Sequence, residues 1–306
     1  MIYLSICIPT YKKIDITRSA LKSIFDNTAD VDLRDFEVVI SDNDPEMSSM
    51  CFKDEFEKPN LHYYNTNCEG FLNSYYVLSY GKGEFLKLHN NGMCYTANSL
   101  KLQIDFIKQH LEKKPHIFFS NGLCEDLKVS EYNKFDDFVN ALGYKSSWSA
   151  GFGIWKEDYD KIKNGISINK WFPQTSFLLG CYDKDRYILN DRPLLVGHVD
   201  HSKGGYNPLR VFGIEYLSML HKSLEDKHIS ETTFNGIKYS LLKDYLAARF
   251  FKSVILRKES YRFDHPFRYL FKYYKWYDFF RLLFYSIRLP FLYVLGIKKR
   301  SIILNN

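Results

Sequence analysis

The sequence lacks any apolar run of the roughly 18 residues that a membrane-spanning helix needs, so we expect no transmembrane segment. Its six cysteines are scattered, with no CxxC pair and no Cys/His spacing of a zinc site, which favours reduced thiols in a cytosolic compartment. The first residues lack the basic and apolar regions of a signal peptide, and none is expected. These absences indicate a cytoplasmic globular protein, and 306 residues can bury a sizeable core.

The chain has little excess of either positive or negative charge before its C-terminal part. The net charge is +6, yet residues 251–306 hold 12 Lys and Arg against 3 Asp and Glu. Aromatic residues, 17% of the chain, interleave with these basic residues between 261 and 293. Because basic, aromatic helices suit an anionic membrane surface, we predict a membrane-associating helical tail over 221–306, behind a globular domain over 1–220. Helices that cover that domain, or a dimer interface, are the alternatives.

Nucleic acid is disfavoured as a partner of this tail. Basic and aromatic residues also suit phosphates and bases. However, no RRM or helix-turn-helix motif accompanies them in the sequence. We therefore expect no nucleic-acid binding.

Short apolar segments alternate with amphipathic ones along the first 120 residues. The segments predicted as strands are Tyr3–Pro9, Phe36–Ile40, Leu61–Tyr64, Phe85–Leu88 and His116–Phe119. The segments predicted as helices are Ile16–Asn27, Gly70–Tyr80, Leu100–Leu111 and residues 209–252. This alternation predicts an α/β fold with a mostly parallel sheet flanked by helices. Since ligands bind at the carboxyl ends of such strands, the loops after the first, second and fourth strands should meet there.

Three sets of loop residues carry a family resemblance. They are Ile8-Pro9-Thr10-Tyr11, then Ile40-Ser41-Asp42-Asn43-Asp44, and then Asn67-x-x-Gly70-x-x-Asn73 followed by Gly81-Lys82-Gly83-Glu84-Phe85. In this order and spacing they resemble the family 2 glycosyltransferases with the GT-A fold, including the abequosyltransferase-like and the capsule or O-antigen enzymes. The resemblance covers residues 3–120 well and residues 145–220 weakly.

The resemblance implies a nucleotide-sugar donor, with a UDP-sugar favoured. Thr10 and Tyr11 would line the base and ribose pocket beside Pro9, and Asp42 would accept the base N–H. On its own, Asp42 also suits a turn, where Asp is common. The other donor-binding candidates are Asn67, Gly70, Asn73, Lys87, His89 and Asn90.

The position of the family's metal-binding carboxylate is taken by Asn91. The family places an Asp-x-Asp-type motif here to hold Mg²⁺ or Mn²⁺, and such cations prefer carboxylate oxygens. Three interpretations stay open. The first is weakened metal binding through Asn91 and the donor phosphates, and the second is an inactive protein. The third is a diphosphate neutralised by lysines, with Lys82, Lys87 and Lys203 as candidates.

The general base of an inverting transfer is also missing from its usual place. By resemblance an Asp should open a helix where Gln174 stands, and Gln cannot act as a base. Asp200 and His201 are the candidates that replace it. The acceptor would meet Trp148, Ser149, Gly151 and Phe152, although an ordinary core Trp would give the same pattern.

The whole sequence predicts a GT-A-like glycosyltransferase that extends a surface polysaccharide. The resemblance implies a lipid-linked or polysaccharide acceptor and a peripheral position on the cytoplasmic face of the membrane. The alternative is a catalytically inactive member of the fold that binds nucleotide or scaffolds other proteins. Either protein could form a homo-oligomer.

Overall fold

The computed structural model describes residues 1–197 and 204–294, with side chains described up to residue 288. Contacts within the chain group it into two compact units, Met1–His198 and Val199–Asn306. The boundary expected at residue 220 falls inside a helix, Leu217–Glu225, that belongs to the second unit.

The first unit holds the strands of the described chain. In chain order they are β1 (Leu4–Thr10), β2 (Phe36–Asp42), β3 (Leu61–Asn65), β4 (Phe85–Leu88), β5 (Met93–Tyr95), β6 (His116–Phe119), β7 (Val129–Tyr132), β8 (Gly153–Trp155), β9 (Tyr187–Asn190) and β10 (Leu195–Gly197). The main sheet has the order β3-β2-β1-β4-β8, and its strands are parallel except β8, which runs antiparallel to β4. The mixed, mostly parallel sheet is therefore confirmed.

Helices flank these strands in the first unit. The α-helices are α1 (Ile14–Phe25), α2 (Phe52–Phe56), α3 (Asn73–Tyr80), α4 (Ser99–Lys108), α5 (Phe135–Leu142), α6 (Lys156–Ile162) and α7 (Pro173–Gly180). Shorter 3₁₀ turns cover Ser48–Cys51, Gly70–Leu72, Gly143–Ser147 and Ser149–Gly151. The predicted helices over 16–27, 70–80 and 100–111 correspond to α1, α3 and α4, with ends that differ by a few residues.

The centre of the sheet is β1, which pairs with β2 on one side and β4 on the other. Its apolar side chains, Ile6 and Ile8 among them, are fully buried because helices cover both faces of the sheet. The buried stripe of α1, which includes Leu21 and Ile24, packs into the same core. This packing fixes where β1 ends and so where the following loop begins.

One predicted strand lies in another sheet. The segment His116–Phe119 forms β6 of a three-stranded sheet with the order β6-β9-β7. It does not pair with β4, because β8 takes that edge. The strand predicted at His116–Phe119 is therefore present, and it belongs to the three-stranded sheet.

The second unit is helical among its described residues. Its helical segments are Pro208–Arg210, Val211–Tyr216, Leu217–Glu225, Glu231–Ser240, Leu241–Leu246, Ala247–Phe250, Phe251–Ile255, Pro266–Leu270 and Trp276–Val294. Three of them, at 211, 241 and 251, are π-helical turns inside longer helices. Within the described ranges, no helix is both long and apolar enough to cross a membrane.

Candidate functional site

The carboxyl ends of β1 and β2 are held together by Asn73, the first residue of α3. Its side-chain nitrogen donates to the backbone oxygens of Ser41 at 2.8 Å and Thr10 at 3.3 Å. The same nitrogen lies 3.1 Å from Oδ1 of Asn43. The Oδ1 atom of Asn73 accepts a hydrogen bond from the Ser41 hydroxyl at 2.6 Å. Asn73 is buried, so it fastens two loops together and does not present its amide to a ligand.

The loop after β4 joins the same point through Asn91. The side-chain nitrogen of Asn91 lies 3.2 Å from the hydroxyl oxygen of Thr17 and 3.4 Å from that of Thr10. The two threonine oxygens are themselves 3.2 Å apart. The predicted meeting of the loops after β1, β2 and β4 is therefore confirmed.

A second set of hydrogen bonds extends from this point toward the segment predicted to meet the acceptor. The hydroxyl of Ser149 donates to Oδ1 of Asn90 at 2.6 Å. Gln174, the second residue of α7, donates from Nε2 to the backbone oxygen of Ser147 at 2.7 Å. Trp148, between these two serines, is partly buried. The structure thus brings Gln174 close to the segment that holds Trp148 and Ser149.

Asp42 is fully buried, and both of its carboxylate oxygens have donors. Oδ1 accepts from the backbone N–H of Asp44 at 3.0 Å, and Oδ2 from that of Ser49 at 2.9 Å. The hydroxyl of Tyr63 lies 3.4 Å from Oδ2. Burial, with a contribution from Asp42, raises the pKa of Tyr63 to about 12 and keeps this phenol a donor. Asp42 therefore organises the turn after β2, and its contact with a base N–H stays a prediction.

Of the predicted donor-binding residues near the ends of β1, β2 and β3, Tyr11, Asn67 and Gly70 are exposed. The side chain of Tyr11 is 51% exposed, whereas Pro9 is partly buried opposite Ser41. Gly70 has a φ of +51° in the left-handed region, and a Cβ added there would meet no atom within 4 Å. Of these groups, the Tyr11 ring is the one that offers an aromatic face for stacking.

Lys12 follows Tyr11 and contacts two carboxylates. Its Nζ lies 3.7 Å from Oδ1 of Asp44 and 3.4 Å from Oε1 of Glu46. These carboxylates raise the pKa of Lys12. This ammonium therefore keeps its positive charge beside Tyr11.

The lysines predicted to neutralise a diphosphate lie elsewhere. Lys87 is buried, and its Nζ donates to the backbone oxygens of Leu88, at 2.8 Å, and Ala150. Burial lowers the pKa of Lys87 to about 7. Lys82 precedes β4 and so lies at the amino end of this parallel strand. These positions argue against contact of Lys82 and Lys87 with a diphosphate, and Lys203 lies outside the described residues.

His89, a predicted donor-binding residue, has its ring buried in the first unit. The ring is buried against Tyr95, with centroids 5.2 Å apart, and Nε2 lies 2.8 Å from the backbone oxygen of Met93. Burial lowers the pKa of His89 to about 3, which leaves a neutral imidazole. Since Nε2 faces a carbonyl, it carries the proton and donates it.

The groups after β4 do not fit a divalent-cation site. Oδ1 of Asn90 accepts from Ser149, and the Asn91 amide donates to threonine hydroxyls. Within residues 1–197 and 204–294, no group of three or more His, Cys, Asp or Glu could hold a metal ion. Mg²⁺ and Mn²⁺ favour charged oxygens, and this end of the strand offers neutral carboxamides.

Two of the predicted acceptor residues belong to the core. A Cβ on Gly151 would lie 2.3 Å from Cε1 of Phe118, so the close approach of this ring requires glycine. Phe152 is fully buried, 6.3 Å from the ring of Phe177 by centroids. The core positions of Gly151 and Phe152 argue against contact with an acceptor, and Trp148 and Ser149 remain predicted acceptor residues. Asp200 and His201, the predicted bases, lie outside the described residues.

Sequence reasoning missed Thr17 and Ser147. Thr17 is a polar residue on the buried stripe of α1, and that placement was a readable signal. Ser147 takes part through its backbone oxygen, which no side-chain pattern reveals.

Comparison with known proteins supports the fold. No protein-family model matches the chain, and no curated protein matches it by sequence. Among solved structures, S. aureus TarS 1–349 in complex with UDP-GlcNAc matches with a TM-score of 0.57 at 16% identity, over 94% of this chain and 81% of that chain. A longer S. aureus TarS structure gives 0.57 at 16% identity over 81% of this chain, which spans 44% of the longer protein.

A second match comes from Pyrobaculum calidifontis. Its mannosyltransferase PcManGT, in complex with GDP-Man and Mn²⁺, matches with a TM-score of 0.54 at 14% identity, over 96% of this chain and 88% of that one. These likenesses are at low identity and concern the fold. The chain has a GT-A-like fold, with a mixed, mostly parallel sheet flanked by helices and with helices at its C-terminal end.

Proposed function

We propose that this protein is a glycosyltransferase that takes its sugar from a nucleotide-sugar donor. The observation that carries the proposal is the likeness, over more than nine-tenths of the chain, to two proteins solved with UDP-GlcNAc and GDP-Man. The meeting of three loops at the carboxyl ends of β1, β2 and β4 supports it, since α/β sheets bind ligands there.

In this proposal the donor nucleotide, with UDP favoured, lies at the ends of these three strands. The Tyr11 ring stacks on the base, and Lys12 supplies a positive charge next to it. The carboxamides of Asn90 and Asn91 hydrogen-bond the diphosphate without a metal ion between them. Trp148 and Ser149 contact the acceptor sugar, because an aromatic ring suits the C–H face of a sugar.

The finer proposal concerns family and acceptor. By its loop motifs the chain is a family 2 enzyme that extends a lipid-linked capsule or O-antigen polysaccharide at the cytoplasmic face of the membrane. Asp200 or His201 is the proposed general base of an inverting transfer, in place of Gln174.

A second candidate function is a non-catalytic nucleotide-binding or scaffolding protein of the same fold. Gln174 favours it, because the position of the usual base carries a carboxamide that is buried and bound to the backbone oxygen of Ser147. Asn91 favours it too, since it replaces the carboxylate of the metal motif.

Nucleotide binding and sugar transfer, measured separately, distinguish these functions. The purified chain is titrated with UDP-sugars and GDP-sugars, with Mn²⁺ and with EDTA, in a calorimeter. Nucleotide release is then followed with membrane-extracted lipid-linked acceptors. Binding with acceptor-dependent release supports the transferase, and binding without release on any acceptor favours the second function. Absence of binding to every nucleotide sugar contradicts the transferase and a nucleotide-binding role, and leaves the scaffolding form of the second function.

A further inference from the structure

The last helix that the structure describes, Trp276–Val294 in the second unit, exposes a row of large apolar side chains. Trp276 is 68% exposed, Phe280 and Phe284 are each 60% exposed, and Ile287 is 57% exposed. At 3.6 residues per turn these four side chains fall within about 80° of one another around the helix. They therefore form one continuous face.

The opposite side of the same helix is packed. Leu282 and Ser286 are fully buried, and Asp278 is 8% exposed. These positions lie roughly opposite the exposed row on a helix of this pitch. Because packing fixes the helix by its inner side, the outer row is not a core face of this unit.

Two neighbouring aromatic rings enlarge the exposed row. Phe267 is 54% exposed and Phe271 is 40% exposed. The ring of Phe267 lies 4.8 Å from that of Phe279, centroid to centroid, which joins the short helix Pro266–Leu270 to the last helix. The aromatic face is defined as Phe267, Phe271, Trp276, Phe280, Phe284 and Ile287. An exposed apolar patch of this kind marks an interaction surface.

Positive charge borders the aromatic face. Arg281 and Arg288 are exposed and lie on the helix flank next to Phe284, about 40–60° away from it around the helix. Exposed basic residues also lie in the preceding segment: Arg268, Lys272 and Lys275. The acidic residue between 266 and 288 is Asp278, which is largely buried and bonded to Arg281 at 3.0 Å. The border is therefore positive with little to offset it.

We propose that the aromatic face docks on an anionic lipid bilayer, with the last helix lying in the plane of the interface. Trp, Phe and Ile side chains enter the boundary between headgroups and acyl chains, while Arg281 and Arg288 meet the lipid phosphates. A second copy of the chain suits this face less well, because pairing two copies would bring two positive borders together. The proposal concerns the second unit alone and stands whether or not the protein transfers sugar.

Vesicle flotation of the full chain tests the proposal. We expect the protein to float with phosphatidylcholine vesicles that contain phosphatidylglycerol, and to lose that binding in high salt. The double variant Phe280→Ser and Phe284→Ser should lower vesicle partitioning by about 10-fold or more, since two apolar side chains no longer enter the bilayer. The matched control is Leu102→Ser with Tyr182→Ser, two exposed apolar positions of the first unit, which should bind as the parent does.

A charge variant separates the electrostatic contribution of the arginines from the apolar contribution of the aromatic face. Arg281→Gln with Arg288→Gln should lower binding to anionic vesicles by about 5-fold per charge and leave binding to neutral vesicles unchanged. Quenching by brominated lipid should reach Trp276, and Trp276→Phe should abolish most of the quenching, because the other tryptophans, Trp148, Trp155 and Trp171, belong to the first unit and are fully or partly buried. Circular dichroism of each variant confirms that it is folded.

The opposite results overturn the proposal. The proposal is contradicted if the Phe280→Ser, Phe284→Ser variant floats with vesicles as well as the parent does. It is also contradicted if the parent does not float with anionic vesicles. A dimer seen by analytical ultracentrifugation and dissociated by this same variant, without vesicle binding, would show the face to be an interface between copies.

Discussion

The side-chain nitrogen of Asn91, in the loop after β4, lies 3.2 Å from the hydroxyl oxygen of Thr17 in α1. The same nitrogen is 3.4 Å from the hydroxyl of Thr10. Asn91 is therefore a donor toward two hydroxyls. Because a hydroxyl can also rotate and donate, an aspartate could take the same place without a clash.

Asn91→Asp should create metal dependence in donor binding. The new carboxylate would give Mn²⁺ a charged oxygen beside the donor diphosphate. We expect Mn²⁺ to tighten donor binding of the variant at least about 10-fold, the step of 1.4 kcal/mol, and to change that of the parent little. Calorimetry with and without Mn²⁺ measures this. The control is Asn164→Asp, which adds the same charge at an exposed loop position. An equal effect of Mn²⁺ on the parent and on Asn91→Asp would contradict the placement of Asn91 beside the donor diphosphate.

Tyr11→Ala should weaken nucleotide binding without destabilising the fold. The Tyr11 side chain is 51% exposed, so its loss removes little packing. Base–aromatic stacking is worth about 1–3 kcal/mol, and we expect at least about a 10-fold rise in the nucleotide Kd. Tyr11→Phe should bind as the parent does. Tyr182→Ala, at a ring 44% exposed, is the matched control, and an unchanged Kd for Tyr11→Ala would remove Tyr11 from the site.

Gly151→Ala should destabilise the first unit. The added methyl would lie 2.3 Å from Cε1 of Phe118, so the ring or the backbone must move. Such overpacking costs about 1–3 kcal/mol in the free energy of unfolding. Urea unfolding measures it, with Gly165→Ala as the control because its nearest atom would be 3.8 Å away. If Gly151→Ala leaves the free energy of unfolding unchanged but abolishes sugar transfer to the acceptor, Gly151 contacts the acceptor, contrary to its position in the core.

Lys87 should make stability depend on pH above neutrality. Burial lowers the pKa of Lys87 from 10.5 to about 7. Between these values the unfolded chain binds a proton that the folded one does not, so stability rises with pH, and below pH 7 the penalty is present in full. Relative to Lys87→Met, the parent's free energy of unfolding should rise by up to about 1.4 kcal/mol per pH unit. Urea unfolding at pH 7, 8 and 9 checks this, and a flat difference would show that the ammonium is not desolvated.

The sequence predicted the centre of the sheet because four of its strands are long enough to show a pattern. Apolar runs bounded by turn residues mark β1, β2, β3 and β4. Strands of three residues, such as β8 (Gly153–Trp155), carry too few residues for any periodicity. The antiparallel edge at β8 was therefore beyond sequence reasoning. In the three-stranded sheet, β6 was predicted as a strand, but its pairing with β9 was not.

The site was predictable in its loops and unpredictable in its buried side chains. Lys87 and His89 lie close together along β4 and the next loop, and both are buried because this part of the sheet is covered on its two faces. A strand pattern cannot separate a lysine that faces a ligand from one bonded to carbonyls in the core. Gly151 illustrates the same limit, since the need for glycine comes from Phe118, which is distant in sequence.

A crystal structure of the chain with a bound UDP-sugar or GDP-sugar tests the central claim most directly. The account predicts a nucleotide at the carboxyl ends of β1, β2 and β4, with its base against Tyr11 and its diphosphate beside Asn90 and Asn91. A nucleotide bound elsewhere, or crystals saturated with donor that show no nucleotide at these strand ends, would contradict it.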